Sequence, residues 1–260
     1  MDKTIELDVI ENHIALITLN REKAANSLNK QLLTEFNNAI DQVNENRNIH
    51  CVIITGKGNK VFSAGADLKE RESMNDQEVI EAVKYIGSTI NNIEKIQVPV
   101  IAAINGSAFG GGLEIALACD IRIGSEDISV GLTETSLAII PGAGGTQRLS
   151  RLIGTGRAKQ MIYTAERVSA GKAFAYGLLE EIIPQKNFIN QVIIFAEKII
   201  KNGPLALMLA KQAIDEGINL SLEEGLKLEH QLYKKTIPSR DRKEGLKAFK
   251  EKRTPTYKGI

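Results

Sequence analysis

Residues 98–118, VPVIAAINGSAFGGGLEIALA, form a run of 21 residues with one charge, Glu114. A run that long and apolar must leave water, either across a bilayer or into a protein core. Pro99, Asn105, Gly106 and the successive glycines Gly110, Gly111 and Gly112 interrupt it, which argues against one membrane helix. It reads instead as a strand, a glycine turn and a buried helix. The strand, VPVIAAIN, does not alternate apolar with polar residues, so both of its faces are buried. Strands of that kind lie inside parallel sheets covered by helices on both sides.

The surrounding sequence fits such a sheet. Residues 4–11 and 13–19 alternate or run apolar on either side of Glu11-Asn12 and read as a hairpin. NKQLLTEFNNAIDQVNEN places Leu32, Leu33, Phe36, Ile40 and Val43 at helical spacing, with Asn29 as cap. CVIITG is a short β-branched strand, followed by the loop GKGNKVFSAGAD. DQEVIEAVKYIGSTINNIEKI is a second amphipathic helix, with Asp76 as its expected cap. DIRIGS and ISVGL read as short strands. Strand, strand, helix therefore repeats, which argues for an α/β fold with crossover units. From residue 188 the pattern is helical only, over 188–201, 204–216, 222–236 and 241–252. Residues 1–202 are expected to form the core and 203–260 a helical C-terminal region, with the division near Asn202-Gly203-Pro204.

Several function classes are disfavoured. The formal net charge of +1 gives no general attraction to nucleic acid or anionic membranes. Cys51 and Cys119 stand alone among apolar neighbours, as buried thiols in a reducing compartment do. His13, His50 and His230 are scattered, so no metal site is expected. Residues 1–10 contain Asp2, Glu6 and Asp8 and lack a basic start and an apolar run. No secretory peptide is expected there, and the protein reads as cytoplasmic.

Glu114 is the chemical anomaly. Leu113, Ile115, Ala116, Leu117 and Ala118 surround the helix with apolar side chains, so Glu114 lies in or beside the core. Burial raises a carboxyl pKa, whereas the positive end of a helix favours the anion. A carboxyl held between the two suits proton transfer near neutral pH. It could instead snorkel to solvent, or pair with Arg122 or Arg148. Glu134, in GLTETSLAIIPGAGGTQR, is a second glutamate in an apolar, glycine-rich setting, although alone it could be a solvated loop charge. Two glycine turns, FSAGAD and FGGG, follow two buried strands. They could serve only close packing, or could converge two main-chain N–H groups on one oxygen. No Walker loop, dinucleotide fingerprint or nucleophile elbow is present.

Taken in order, FSAGADLKE, IAAINGSAFGGGLEIALACDIRI and IIPGAGGTQRL resemble the crotonase (enoyl-CoA hydratase) family, and the likeness runs from ALITLNR to AFKEKR. The resemblance implies a spiral of ββα units with a C-terminal helical trimerisation region. It implies an acyl-CoA substrate, with coenzyme A entering as part of that substrate and no metal or redox cofactor. The amides of Ala66 and Gly111 would form the oxyanion hole, and Glu114 and Glu134 would handle water and proton. Ala64, Ala66, Asp67, Leu68 and Lys69 would line the CoA site, with Phe249 and Lys252 near the adenine end, often from a neighbouring subunit. Homotrimers or hexamers (dimers of trimers) would follow. Relatives that isomerise, hydrolyse or dehalogenate often lack one glutamate, so hydration is the expected reaction.

GADLKER, ETSLAIIPGAGGTQRL, TIPSRDRKEGLKAFKEKR and the ending YKG also resemble the methylglutaconyl-CoA hydratases, including a branch that binds AU-rich RNA. Pocket selectivity would lie in residues 70–92. In that branch a lysine-rich helix carries RNA binding. The matching helix here, NKQLLTEFNNAIDQVNENRN, has few lysines and several acids, so nucleic acid is not an expected partner.

Overall fold

The computed structural model describes residues 3–11 and 13–260. Asn12, in the turn of the expected hairpin, lies outside them. In chain order the strands are β1 (Ile5–Ile10), β2 (Ile14–Leu19), β3 (Cys51–Gly56), β4 (Val61–Ser63), β5 (Val100–Ile104), β6 (Ser107–Phe109), β7 (Ile121–Ser125), β8 (Ser129–Gly131), β9 (Val168–Ser169) and β10 (Glu181–Ile183). One sheet has the order β1-β2-β3-β5-β7-β10, and a second has β4-β6-β8-β9. β1 and β2 pair antiparallel, and the remaining neighbours in the large sheet are parallel.

The alternation between sheets is the organising rule. β3, β5 and β7 each hand the chain to a three-residue strand of the small sheet, β4, β6 and β8. Each such pair is one turn of a spiral. β3 and β5 are buried along their whole length. Val52, Ile54, Val100, Ala102 and Ile104 enter the main core, whereas Cys51, Ile53, Ile101 and Ala103 enter a second cluster with Phe188, Val192 and Ala196. Alternate residues thus serve opposite faces, which is why neither strand shows polar alternation.

The helices are α1 (Lys30–Glu45), α2 (Leu68–Arg71), α3 (Asp76–Glu94), α4 (Gly111–Leu117), α5 (Gly145–Ile153), α6 (Thr155–Tyr163), α7 (Ala170–Tyr176), α8 (Phe188–Ile200), α9 (Pro204–Gly217), α10 (Leu222–Thr236) and α11 (Arg240–Glu251). Asn29 caps α1 through the Leu32 amide at 3.0 Å, and Leu32, Leu33, Phe36, Ile40 and Val43 are buried as their spacing predicts. The cap of α3 is Asn75, not Asp76. Its side chain accepts the Glu78 amide at 3.1 Å, and Glu78 accepts the Asn75 amide at 2.8 Å. Asp76 is instead the first helical residue, where its charge favours the helix dipole.

Past Gly203, helices α9, α10 and α11 complete the chain. Lys211 of α9 reaches back to Asp120, which stands immediately before β7. The C-terminus folds onto the start of α11, where the Asp241 carboxylate accepts the Lys258 and Gly259 amides at 2.8 and 2.7 Å. Among the described residues no helix is long and apolar enough to cross a membrane.

Candidate active site

The two glycine turns touch. Gly65 has φ +88°, and a Cβ on it would stand 2.8 Å from the Phe109 carbonyl oxygen and 2.9 Å from the Gly111 nitrogen. On Gly112 a Cβ would meet the Ser63 carbonyl oxygen at 2.2 Å. Side chains at either position would push the turns apart. These glycines therefore bring the end of β4 against the start of α4.

That contact sets up two amide donors. Leu28 pairs with Ala66 in an isolated parallel bridge: the Leu28 amide donates to Gly65 at 2.8 Å and the Asp67 amide donates to Leu28 at 3.1 Å. The intervening Ala66 amide faces the other way. Gly111 opens α4, so its amide has no intrahelical acceptor. Neither amide finds an acceptor among the described residues. A Cβ on Gly111 would lie 3.7 Å from the Ala66 nitrogen, so the donors are neighbours.

Both amides line a cleft of about 860 Å³ that also contains Glu114 and Glu134. Glu114 is 3% exposed, and its Oε1 accepts the Ala143 and Gly145 amides, both at 2.8 Å. It neither snorkels outward nor bonds Arg122 or Arg148. Arg122 pairs with Glu180 at 2.6 Å, and Arg148 pairs with Glu94 at 2.6 Å. Burial pushes the Glu114 pKa up, although the Gly145 and Ala143 amides and the charges of Arg148 and Arg71 oppose it.

Glu134 opens a short 3-10 turn, Glu134–Leu137, and lies against the bare face of Gly110. A Cβ on Gly110 would stand 3.1 Å from Glu134 Oε1. The other oxygen, Oε2, is buried without a hydrogen-bond partner among the described residues. Burial, with the nearby Glu114 charge adding to it, raises the Glu134 pKa to about 7. One carboxyl is thus fixed by two main-chain donors, while the other keeps a free oxygen and holds a proton near neutral pH.

Ala64, Ala66 and Leu68 line the cleft, but Asp67 and Lys69 do not. Asp67 caps α2 through the Lys69 and Glu70 amides at 3.2 and 3.3 Å, and is held by Arg21 at 2.9 Å and Ser27 at 3.2 Å. Lys69 is exposed on α2. Phe249 is 86% exposed on α11, and Lys252 ends that helix in the left-handed region at φ +54°. A single chain brings neither to the cleft.

Of the two basic residues in the cleft, Arg71 falls within the 70–92 segment expected to set selectivity without having been singled out, and Arg167 escaped the sequence reading. Arg167 stacks its guanidinium 4.7 Å above the Phe109 ring. Arg71 also follows Ala66 by only five positions, so its proximity to the glycine turn was a second signal. Both cysteines are free and buried, and burial raises the Cys51 thiol to about 12.

The sequence model of the enoyl-CoA hydratase/isomerase family matches residues 9–260. The crystal structure of an enoyl-CoA hydratase from Bacillus anthracis superposes with a TM-score of 0.97 at 55% identity, covering 99% of this chain and 100% of that one. The Bacillus subtilis (strain 168) protein YngF, named with the enoyl-CoA hydratases/isomerases, is 50% identical over 260 residues, the whole of both chains. Mitochondrial methylglutaconyl-CoA hydratase of Homo sapiens is 44% identical over 250 residues, covering 95% of this chain and 74% of that protein. With a family match across nearly its full length and a fold shared with a solved hydratase, the chain belongs to the enoyl-CoA hydratase/isomerase family.

Proposed function

We infer that this enoyl-CoA hydratase holds its thioester carbonyl between the Ala66 and Gly111 amides and hydrates the adjoining double bond with Glu114 and Glu134. The observation that carries the reading is the convergence of two unused amides and two carboxyls on one cleft. When the oxygen of water bonds to the β-carbon, the π pair shifts toward the thioester and charge develops on the carbonyl oxygen. Each amide donor already aimed there lowers the barrier by about 3 kcal/mol. In this reading Glu114, whose two amide hydrogen bonds favour the ionised form, takes the proton from water. In the same reading Glu134, whose raised pKa favours the protonated form, delivers a proton to the α-carbon. One water is added and no electron is transferred, so the step calls for no redox cofactor.

Ala64, Ala66 and Leu68 form the approach for coenzyme A, with the exposed Lys69 beside it and Asp67 serving instead to hold α2 in place. Phe249 and Lys252 of a neighbouring copy close its adenine end in a homotrimer or a hexamer of two trimers. The buried free thiols fit a cytoplasmic location. Methylglutaconyl-CoA is the second substrate reading, supported by the relative of that name.

Crotonyl-CoA tests the reaction. The conjugated-enoyl absorbance should fall, and the product should gain the mass of one water. An unchanged mass would mark an isomerase, and free CoA a thioesterase. Glu114→Gln and Glu134→Gln should each lower kcat by about 100-fold or more with the circular dichroism spectrum unchanged. Full turnover in both variants would overturn the roles of the two glutamates.

A further inference from the structure

The two glutamates of the cleft are held in different ways. Glu114 is bonded directly to the Ala143 and Gly145 amides. Among the described residues, the Glu134 carboxyl finds no hydrogen-bond donor in any other residue, and only its own amide reaches it. Its aim therefore comes from the backbone that carries it, the 3-10 turn Glu134–Leu137. Residues 136–140 are exposed, and the main-chain hydrogen bonds of this stretch stay inside it. The Ser136 amide donates to Thr133 at 3.1 Å, Ala138 to Thr135 at 3.1 Å and Ile139 to Glu134 at 3.3 Å. Among the described residues one hydrogen bond ties residues 133–140 to the rest of the protein: the Thr135 hydroxyl donates to the Ile162 carbonyl at 2.5 Å.

The anchor is itself firm. Ile162 is buried in the last turn of α6, where helix carbonyls have acceptor capacity to spare. α6 follows α5 directly through Gly154. α5 begins at Gly145, whose amide holds Glu114. Leu149, Ile153, Ala158 and Met161 bury this helix pair in the main core. One packed unit thus reaches both carboxyls. At its start a main-chain amide grips Glu114, and near its end a carbonyl receives the one side-chain hydroxyl that moors the turn of Glu134.

We propose that Thr135 is a positioning residue for the hydration step, and that through it the α5–α6 pair sets the spacing of Glu134 from Glu114. The proposal rests on the reading of the two glutamates as base and acid, and adds what holds the acid in place. A proton passes from Glu134 to the α-carbon only within hydrogen-bond reach, so a turn displaced by about 1 Å costs up to about 100-fold in rate. The amides of Ala66 and Gly111 lie on other elements and keep their hold on the thioester. Thr135 takes no part in the bond changes.

Thr135→Val keeps the shape of the side chain and removes the donor. The Ile162 carbonyl still accepts the Ala165 amide at 3.3 Å, so no buried acceptor is stranded and the variant should fold. On crotonyl-CoA its kcat should fall about 30-fold with KM changed less than about twofold. Thr135→Ser, which restores the hydroxyl, should return kcat to within about threefold of wild type. The pH profile should move as well. Glu114 of α4 and Arg71 of α2 are the charges that act on Glu134, Arg167 shares its cleft, and none of them is altered by these variants. A loosened turn admits water to the Glu134 carboxyl and lowers its pKa, so the alkaline decline of kcat should begin at lower pH in Thr135→Val. A structural role alone would lower the melting temperature and leave the profile in place. Hydrogen exchange gives a readout without turnover: peptides covering 133–140 should exchange faster in Thr135→Val than in the wild type or Thr135→Ser. Full kcat in Thr135→Val, an equal loss in Thr135→Ser, or unchanged exchange would each overturn the assignment. A wild type without turnover, with exchange still faster in Thr135→Val, would strike the hydratase mechanism and leave the tether standing.

Discussion

Gly65 stands directly behind the amide of Gly111, with room for no more than a hydrogen between them: a Cβ on Gly65 would lie 2.9 Å from that nitrogen. Gly65 also has φ +88°, where an L-residue is strained. Gly65→Ala should therefore destabilise the fold by about 1–3 kcal/mol. Its larger effect should be on chemistry, because separating the Ala66 and Gly111 amides spoils their aim at one oxygen. A fall in kcat of about 100-fold or more is expected, read in a crotonyl-CoA assay at a temperature where urea titration shows the variant fully folded.

The Glu134 carboxyl gives the protein a signed pH dependence. Its folded pKa, about 7, exceeds that of a glutamate in an unfolded chain. From about pH 4.3 to 7 the folded state keeps a proton that the unfolded state has released. This group's contribution therefore falls as pH rises through that window and stays reduced above it. Glu134→Gln mimics the protonated form at every pH. Its melting temperature should match the wild type near pH 4, exceed it progressively up to pH 7, and keep a constant margin beyond. A margin that shrinks as pH rises would contradict the assignment.

The parts of the fold legible in the sequence are those where one local rule dominates. Asn29 with the spaced Leu32, Phe36 and Ile40 announced α1, and the unbroken VPVIAAIN announced a strand buried on both faces. The small sheet was less visible: β8 was read within ISVGL, but β4 and β6 have three residues each and too little length to show a period. Helices α5 and α6 follow glycine-rich turns, and their polar faces resemble loop sequence. Glu114 and Glu134 stood out because charge in an apolar, glycine-rich setting is unusual. Arg71 did not, since in LKER it reads as an ordinary exposed helix charge, and only the tertiary placement of α2 turns it toward the cleft.

Lys211 ties the C-terminal helices to the sheet. Its side chain is 9% exposed, and it pairs with Asp120, which also accepts the Val100 amide at 2.7 Å. Burial raises the Asp120 pKa while Lys211 opposes it. Lys211→Ala leaves that carboxylate buried and uncompensated, and should destabilise the protein by about 3 kcal/mol in urea titration. The double variant Lys211→Met, Asp120→Asn should recover part of the loss, because neither partner then carries an unpaired charge.

Asp67 links the stability of α2 to the geometry of the cleft, because one carboxylate both caps that helix and holds Arg21. The pair is largely shielded from solvent, with side-chain exposures of 19% for Arg21 and 13% for Asp67. Burial works to raise the Asp67 pKa, but the Arg21 hydrogen bond, the Glu70 amide, the Arg21 charge and Ser27 outweigh it and hold the group below the usual carboxylate range. The resulting stabilisation is fully present above the unfolded pKa, near pH 4, and is lost as pH falls through the lower folded value. Asp67→Ala should cost about 2–4 kcal/mol, from the lost cap and the stranded guanidinium together. Asp67→Asn should cost about half of that, since an asparagine oxygen still caps α2. Because Ala66 precedes the cap and Arg71 ends the helix, both variants should also lose activity in step with stability. The difference in unfolding free energy between wild type and Asp67→Asn should narrow as pH falls below about 4 and close once Asp67 is protonated in the folded state. A gap that persists there would show that the carboxylate charge is not what holds α2 in place.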